Sequence, residues 1–336
     1  AVADPDLWRP IASQLESALA FLTTDRWRLR VFEGGFVPAR PSSAIVPEED
    51  SVVLLSGGLD SLIGAIDLAA AGRRPIAVSQ VVRGDGSKQL RFARLVGSGL
   101  RHLQLNHNAD PGCKKEGSQR ARSLAFLALG VLAGSTLARY RDGEIVTLYV
   151  CENGLISINP PLTEARVGSL STRTAHPVFI NAIQAVLDAV GMRIRIKNPY
   201  QLMTKGEMLL GCSDQALLRA EAFHSTSCGR YQRFKYKHCG RCVPCQIRRA
   251  AIMKWGLRDR TDYVYRNLGK RGTDYSAFDD VRSAAMAIAK ARSDGIDAWL
   301  GMSLNSAKLG DVSELKAMAQ RGLGELESLH RSYRVK

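Results

Sequence analysis

The run Val52-Val53-Leu54-Leu55, followed at once by Ser56-Gly57-Gly58-Leu59-Asp60-Ser61, constrains this chain more than any other feature. An unbroken apolar run is what a strand buried on both faces of a parallel sheet requires. The glycine pair lets the backbone turn tightly and approach a ligand closely. Beyond it, residues 60–71 have helical character. A strand that turns on glycines into a helix leaves free N–H groups and the positive end of the helix dipole at the turn, which suits phosphate. Ser56 and Ser61 add hydroxyl donors, and Asp60 could hold a magnesium ion or orient the loop. The plainer alternative is a strand–turn–helix in which Asp60 and Ser61 only cap the helix. No Gly-Lys-Ser/Thr follows, so this is not a Walker loop.

The alternation continues along the chain. Strands are expected at Ile76–Val81, Leu103–Leu105, Ile145–Cys151 and Arg193–Ile196. Helices are expected at 60–71, at about 119–139, at 177–190 and at 205–210. This is the grammar of an α/β domain with a doubly wound parallel sheet. Ahead of it, residues 5–20 read as an amphipathic helix and Trp27–Phe32 as a strand. The prolines at 38, 41 and 47 make a connector that puts a boundary near residue 48. After Gly256 the strand signals stop, and residues 276–292 and 311–331 read as helices, with Leu315, Met318 and Leu323 at helical spacing. The expected organisation is an N-terminal extension (1–47), a nucleotide-binding domain (48–256) and a helical C-terminal extension (257–336).

Seven cysteines occupy positions 113, 151, 212, 228, 239, 242 and 245, the last four crowded into eighteen residues. An odd total with one tight cluster reads as a metal site inside the cell, not as a secreted disulfide framework. Cys228, Cys239, Cys242 and Cys245 supply four soft ligands, and the short spacings close a tetrahedron around zinc at little entropic cost. An iron–sulfur cluster also uses four cysteines. The upstream fourth ligand, with no proline after the last cysteine, favours zinc. Four thiolates leave no open position, so the zinc is expected to be structural. His224 and His238 lie nearby but are not needed. Cys113, Cys151 and Cys212 read as buried or incidental.

The formal charge of +15 calls for an anionic partner: nucleotide phosphates, an acidic protein surface or nucleic acid. No run of five or six like charges occurs, so nucleic acid is not favoured. The basic-aromatic run Arg230, Tyr231, Arg233, Phe234, Lys235, Tyr236 and Lys237 could grip a nucleic acid, but an ordinary loop held by the zinc is the preferred reading. The most apolar stretch, Ser123–Ala138, is broken by Gly130, Gly134 and Ser135, and the N-terminus has no signal-peptide core. A soluble, cytoplasmic protein without a membrane partner is expected. The chain begins with Ala1, which leaves room for a start upstream.

The hexapeptide Ser56–Ser61 resembles the signature of the PP-loop ATP pyrophosphatases, an adenine-nucleotide α-hydrolase-like group. The resemblance implies ATP bound with the loop on the departing pyrophosphate, and AMP left on a carbonyl or carboxylate that nitrogen or sulfur then attacks. Together with the cysteines, the chain resembles the QueC family of 7-cyano-7-deazaguanine synthases. That family's zinc motif stands here as Cys228, Cys239-Gly240-Arg241-Cys242 and Cys245, with Arg248 and Arg249 on a following helix. Arg122-Ser123-Leu124-Ala125-Phe126 is similar to its Arg-Asn-x-x-Phe, and the segment from Pro199 to Lys205-Gly206-Glu207 to its Pro-Leu-x-x-x-x-Lys-Ala-Glu. The likeness spans roughly residues 50–256.

What the resemblance implies is an ATP-dependent carbon–nitrogen ligase that releases AMP and pyrophosphate, with ATP, Mg²⁺ and Zn²⁺ as cofactors. Its catalytic residues would be Asp60, Lys205 as the cation facing the phosphates, and Arg122 as a clamp. Ser56, Gly57, Gly58, Leu59, Asp60, Ser61 and Ser123 would bind the nucleotide. Apart from the resemblance, Glu152-Asn153-Gly154 follows the fourth expected strand, where open α/β sheets bind ligands, and could edge the substrate base, while Asp85 and Lys88 after the second could face the adenosine or equally just decorate a loop. The substrate would be a 7-deazaguanine acid. Two departures stand out: Ser171–Pro177 replaces the family's Tyr-Pro-Asp-Cys-Arg, and both extensions lack a counterpart in the compact synthase. QueC-like proteins of antiviral defence operons are similarly extended, which implies a partner protein amine as acceptor, with ammonia second. Rival readings are a PP-loop tRNA-modifying enzyme and a non-catalytic ATP/zinc scaffold.

Overall fold

A computed structural model describes residues 1–35, 39, 42–106, 122–163, 173–269 and 280–335. In chain order the helices and strands are α1 (Pro5–Trp8), α2 (Ala12–Thr23), β1 (Ser51–Leu54), α3 (Leu59–Ala70), β2 (Pro75–Gln80), α4 (Gly86–Leu95), β3 (His102–Leu105) and α5 (Arg122–Ser135). They continue with α6 (Ala138–Arg141), β4 (Val146–Tyr149), α7 (Gly154–Ser157), α8 (Pro177–Ala189), β5 (Ile194–Lys197), α9 (Lys205–Gly211) and α10 (Gln215–Glu221). The remaining helices are α11 (Val243–Lys254), α12 (Asp280–Asp294), α13 (Ile296–Leu304) and α14 (Ser313–Ser332).

All five strands run parallel in the order β3-β2-β1-β4-β5. Side chains alternate across a strand, and β1 shows the consequence. Val53 and Leu55 join the cluster under α3, α4, α9, α10 and α11, while Val52 and Leu54 join the one under α2, α5 and α8. Helices therefore cover both faces, which is why the apolar run is unbroken. Strand order reverses between β1 and β4, and the crevice outside the carboxyl ends of these two strands is where open α/β sheets bind ligands.

Helix α5 lies close on the sheet because glycines face it. A Cβ on Gly130 would come within 2.7 Å of Leu148 and 2.9 Å of Leu54, and one on Gly134 within 2.8 Å of Ile194. A third apolar cluster joins α7 and α11 to α12, α13 and α14. The C-terminal helices thus pack on the sheet domain through α11 and α7. His176 and Arg173 secure the N-terminal helix: the Arg173 guanidinium lies 4.8 Å from the Phe21 ring and donates to the Phe21 carbonyl at 3.2 Å.

Three expectations need correction. Trp27–Phe32 is not a strand; the backbone there makes no ladder, and only Glu33 forms a single bridge, to Val2. The helix over 5–20 is broken, because Pro10 cannot donate to a helical ladder and leaves a tight turn at Arg9–Ile11 between α1 and α2. The long helix expected to reach 139 stops at Ser135 and resumes only for the one turn of α6. Helices α4, α10 and α13 were not expected at all. Residues 107–121, which include Cys113, and Ser171 and Thr172 lie outside the described residues, as do positions 36–38, 40 and 41 in the proline connector.

Candidate active site and metal centre

The turn after β1 is shaped by Gly57, whose φ of +84° is open to glycine and costly for other residues. Gly58 is the N-cap of α3 and has no side chain to cap with. The two serines knit the turn together. Ser61 Oγ donates to the Gly58 carbonyl at 3.0 Å and accepts from the Ser56 N–H at 3.2 Å, while Ser56 Oγ accepts from the Gly58 N–H at 3.2 Å. Gln89, fully buried, donates from Nε2 to the carbonyls of Ser56 at 3.2 Å and Gln80 at 3.1 Å. Gln104 fixes the Gln89 amide in that orientation with a bond of 2.9 Å to its oxygen. Ser56 remains exposed, so the tip of a braced turn faces the crevice.

Asp60, in the first turn of α3, points inward. It is 5% exposed and faces Lys205, 6% exposed, whose Nζ pairs with Oδ1. Oδ2 accepts from the backbone N–H of Asn153 at 3.1 Å and from its Nδ2 at 2.7 Å. Asn153 is oriented in turn because its Oδ1 caps α7 by accepting from the Ile156 N–H at 3.1 Å. Burial alone would raise the Asp60 carboxyl. The Lys205 charge and the hydrogen bonds donated by Lys205 and Asn153 outweigh it and hold the group below its usual range. An anchored buried ion pair at the start of α3 is therefore the electrostatic centre of the crevice. With both oxygens engaged, Asp60 is placed to orient the loop rather than to hold a magnesium ion.

The cysteine segment reaches this turn directly. The Thr226 N–H donates to the Gly57 carbonyl at 3.0 Å, bridging Gly58, and its hydroxyl donates to Asp85 Oδ1 at 2.7 Å. Lys88 donates to the same hydroxyl at 2.5 Å and to Tyr231 Oη at 2.8 Å. Two residues on, Cys228 begins the cluster.

The sulfurs of Cys228, Cys239, Cys242 and Cys245 all lie within 4.8 Å of one another, and all four residues are buried. The Cys228–Cys242 and Cys239–Cys245 pairs stand 3.8 and 3.9 Å apart. A zinc with sulfurs at about 2.3 Å in a tetrahedron has edges of about 3.8 Å, so the set fits zinc. Backbone N–H groups support the sulfurs: those of Arg230 and Cys239 on Cys228 at 3.4 and 3.3 Å, and those of Arg241 and Cys242 on Cys239 at 3.4 and 3.2 Å. Such donors stabilise thiolates. His238 accepts the Ser227 N–H on its Nε2 at 3.1 Å and stands apart from the ligand set.

Three buried arginines surround the cluster. Arg248 donates to Ser225 Oγ, Ser227 Oγ, Thr261 Oγ1 and the Ala222 carbonyl. Arg249 donates to the carbonyls of Gly240, Tyr265 and Arg266, and Arg241 to those of Asn267 and Leu268. Among the described residues no carboxylate pairs with Arg248 or Arg249. A metal held by four thiolates carries net negative charge, which buried guanidinium groups nearby offset.

The structure brings Asp60 and Lys205 into contact, with the loop 56–61 around them. It places Arg122 and Ser123 at the carboxyl edge of the same sheet, at the start of α5, without placing them in that contact. Glu152 and Asn153 lie in the turn between β4 and α7, beside Asp60; Asn153 is a buried strut and not an open edge. Asp85 and Lys88 are engaged by Thr226, and Tyr231 and Phe234 pack on the cysteine cluster. Cys151 and Cys212 are buried; burial pushes both thiols up, Cys212 to about 12, away from nucleophilic chemistry. Gln89, Thr226 and Asn153's role as a strut carried no sequence signal, because each acts through a partner remote in the chain.

Residues 174–256 match the family model described as QueC, queuosine biosynthesis protein QueC. A 7-cyano-7-deazaguanine synthase 1 of Sphingopyxis alaskensis is 28% identical over 239 residues, 63% of this chain and 97% of that protein. A 7-cyano-7-deazaguanine synthase of Anaeromyxobacter dehalogenans is 26% identical over 64% of this chain and 95% of its own length. The parallel sheet, the glycine turn on β1 and the four-cysteine cluster agree with these likenesses: the chain is a QueC-like protein.

Proposed function

We propose that the chain is an AMP-forming ligase that adenylates the carboxylate of a 7-deazaguanine acid and passes the acyl group to an amine. The observation that carries this reading is the braced glycine turn at the carboxyl end of β1, closed from beneath by the buried Asp60–Lys205 pair. ATP would lie over residues 56–61, with its leaving pyrophosphate against the turn. A carboxylate oxygen attacks the α-phosphorus, the α–β bridging bond breaks and pyrophosphate leaves. The amine nitrogen then attacks the acyl carbon, AMP departs, and the nitrogen gives its extra proton to solvent.

Lys205 supplies positive charge as negative charge builds on the departing phosphates, and Asp60 keeps its ammonium in place. Arg122 and Ser123, at the same edge of the sheet, would contact the nucleotide or the substrate carboxylate. Bound Mg²⁺ would neutralise phosphate charge. Cys228, Cys239, Cys242 and Cys245 would hold Zn²⁺, whose contribution is folding free energy for the segment that carries Thr226. In this reading residues 48–256 form the catalytic domain, and 1–47 and 257–336 are extensions to it.

A protein amine is the first choice of acceptor, in keeping with a chain of which about a third lies outside its alignment with a synthase, and with a place in antiviral defence. Ammonia is the second: the relatives are named for a cyano product, which from this acid would need ammonia to form the amide and a second ATP to carry away the amide oxygen. Among the described residues no helix is long and apolar enough to cross a membrane; a cytoplasmic setting is part of the proposed reading. The test is incubation with ATP, Mg²⁺, 7-carboxy-7-deazaguanine and either ammonia or partner protein, with AMP and adducts read by mass spectrometry. AMP that depends on the acid supports the ligase. Absence of AMP with every acceptor sinks it, and product only with tRNA points to an RNA-modifying enzyme.

A further inference from the structure

Both arms that grip Asp60 rest on one helix of the C-terminal region. Lys205 is the first residue of α9, and Thr204 is its N-cap. Thr204 and Glu207 close a capping box: the Thr204 hydroxyl accepts the Glu207 N–H at 3.1 Å, and the Glu207 carboxylate accepts the Thr204 N–H at 2.8 Å. Helix α14 seizes this box from outside. The Thr204 hydroxyl donates to Glu325 Oε1, and Lys254 pairs with the same oxygen at 2.9 Å. Arg321 donates from Nε to Glu207 Oε1 at 2.6 Å, and from Nη2 to Glu207 Oε2 at 3.3 Å and to the Leu202 carbonyl at 2.9 Å. The fit is tight: a Cβ on Gly206 would come within 2.8 Å of both Glu325 oxygens.

The other arm is backed by the same helix. Asn153 is followed by Gly154, whose N–H donates to the Met203 carbonyl at 2.8 Å. A Cβ on Gly154 would meet Met318 Sδ at 2.9 Å and the Gln201 carbonyl at 2.2 Å. Gly322 faces Leu155 in the same way, at 2.8 Å. Met318, Arg321, Gly322 and Glu325 recur at helical spacing and so share one face of α14.

We infer that α14 is the positioning element of this site, with Glu325 and Arg321 setting Lys205 against Asp60 through the Thr204–Glu207 box. A helix start is held by only a few bonds, since its first N–H groups lack intrahelical partners. A second set of charge-assisted bonds removes the freedom that would let Lys205 turn away from Asp60. Its catalytic consequence rests on the function proposed above; the positioning itself does not.

The test compares Glu325→Ala, Glu325→Gln, Arg321→Ala and, for stability alone, Leu329→Ala in the full-length zinc-loaded protein. Lys205 accessibility is read by peptide mass spectrometry after a brief pulse of a water-soluble acylating reagent, beside kcat and KM for ATP in AMP formation. The alanine variants at 321 and 325 are expected to label Lys205 at least about tenfold faster. They should lower kcat about tenfold with KM for ATP within about twofold, because the lost interaction belongs to the transition state. Glu325→Gln keeps an acceptor for Thr204 and should restore most of both. Leu329→Ala should lower the melting temperature without either change. Labelling and kcat at wild-type level in Glu325→Ala, or matched by Leu329→Ala, would overturn the inference. A wild-type protein that makes no AMP would contradict the proposed function, while the labelling ratios would still decide the positioning.

Discussion

The glycine turn and the cysteine cluster are joined through Thr226 and Cys228, only two residues apart, yet they are built in opposite ways. At the turn, Ser56 is exposed, the chain bends on a glycine, and side-chain bonds brace the loop from behind. At the cluster all four thiols are at most 7% exposed, ringed by backbone donors and buried guanidinium groups. An open, braced turn suits a ligand that arrives and leaves with each cycle. A closed, dry cluster suits a resident ion that is part of the fold. Proximity without resemblance teaches that the second can act as the foundation of the first, through the bond from the Thr226 N–H to the Gly57 carbonyl.

Removing the metal tests this foundation and carries the largest expected effect. Structural zinc in small domains contributes on the order of 10–16 kcal/mol of apparent binding free energy. Chelation, or Cys239→Ser, is therefore expected to open the segment around residues 226–245, as hydrogen exchange would show, and to weaken ATP binding together with it. Full ATP affinity in metal-free protein would sever the link between the two centres.

Breaking the Asp60–Lys205 pair comes next. One charge of a buried pair left alone costs about 3–5 kcal/mol. Lys205→Met and Asp60→Leu should each lower thermal stability by that amount, and the double variant should recover much of it by leaving no unpaired charge. Activity should stay at least about a hundredfold down in all three, because charge at the phosphates is lost. A double variant regaining both stability and activity would make the pair merely structural.

Buried neutral histidines give the fold a pH dependence separate from either centre. Burial lowers His176 and His330 to about 4 each. His176 accepts the Val178 N–H on Nδ1 at 3.2 Å, a bond that needs the unprotonated nitrogen. A folded value below the unfolded one of about 6.5 means the unfolded chain gains the proton first. Stability is complete above about pH 6.5 and falls as pH drops towards 4, by about 2 kcal/mol per histidine at pH 5. Denaturant titrations of His176→Asn and His330→Gln should show a shallower slope than wild type; an unchanged slope would remove these residues from the account.

Thr226→Val is the finest probe. It keeps the backbone bond to Gly57 but removes the hydroxyl shared by Asp85 and Lys88. The loss of about 1 kcal/mol should appear as a roughly fivefold higher KM for ATP with the zinc content unchanged. Loss of zinc in this variant would show that the hydroxyl serves the cluster instead.

Much of this was legible in the sequence, for definable reasons. The apolar run into Ser56–Ser61 and the cysteine spacing are local patterns with one sensible geometry each, and both appear where expected. Lys205 was placed by its segment, but its burial was not; a lysine at a helix start reads equally well as solvated. Gln89 and Thr226 reach the turn across tertiary distances, from α4 and from the chain before Cys228, and neither has a pattern of its own. Trp27–Phe32 alternates like a strand, but among the described residues it forms no ladder, only a bond from the Val2 N–H to the Phe32 carbonyl at its end, and periodicity alone does not supply a partner strand. Nor does helical spacing in α14 reveal that Arg321 and Glu325 meet Thr204 and Glu207.

The central claim is that the turn and its ion pair split ATP for the benefit of a carboxyl group. Single-turnover incubation with α-labelled ATP, Mg²⁺ and 7-carboxy-7-deazaguanine tests it most directly, with AMP and the acyl-adenylate resolved by mass spectrometry. The account predicts acid-dependent acyl-adenylate and pyrophosphate from the wild type, and on the order of a hundredfold less from Lys205→Met. ADP as the product, or AMP formed equally without the acid, would contradict it.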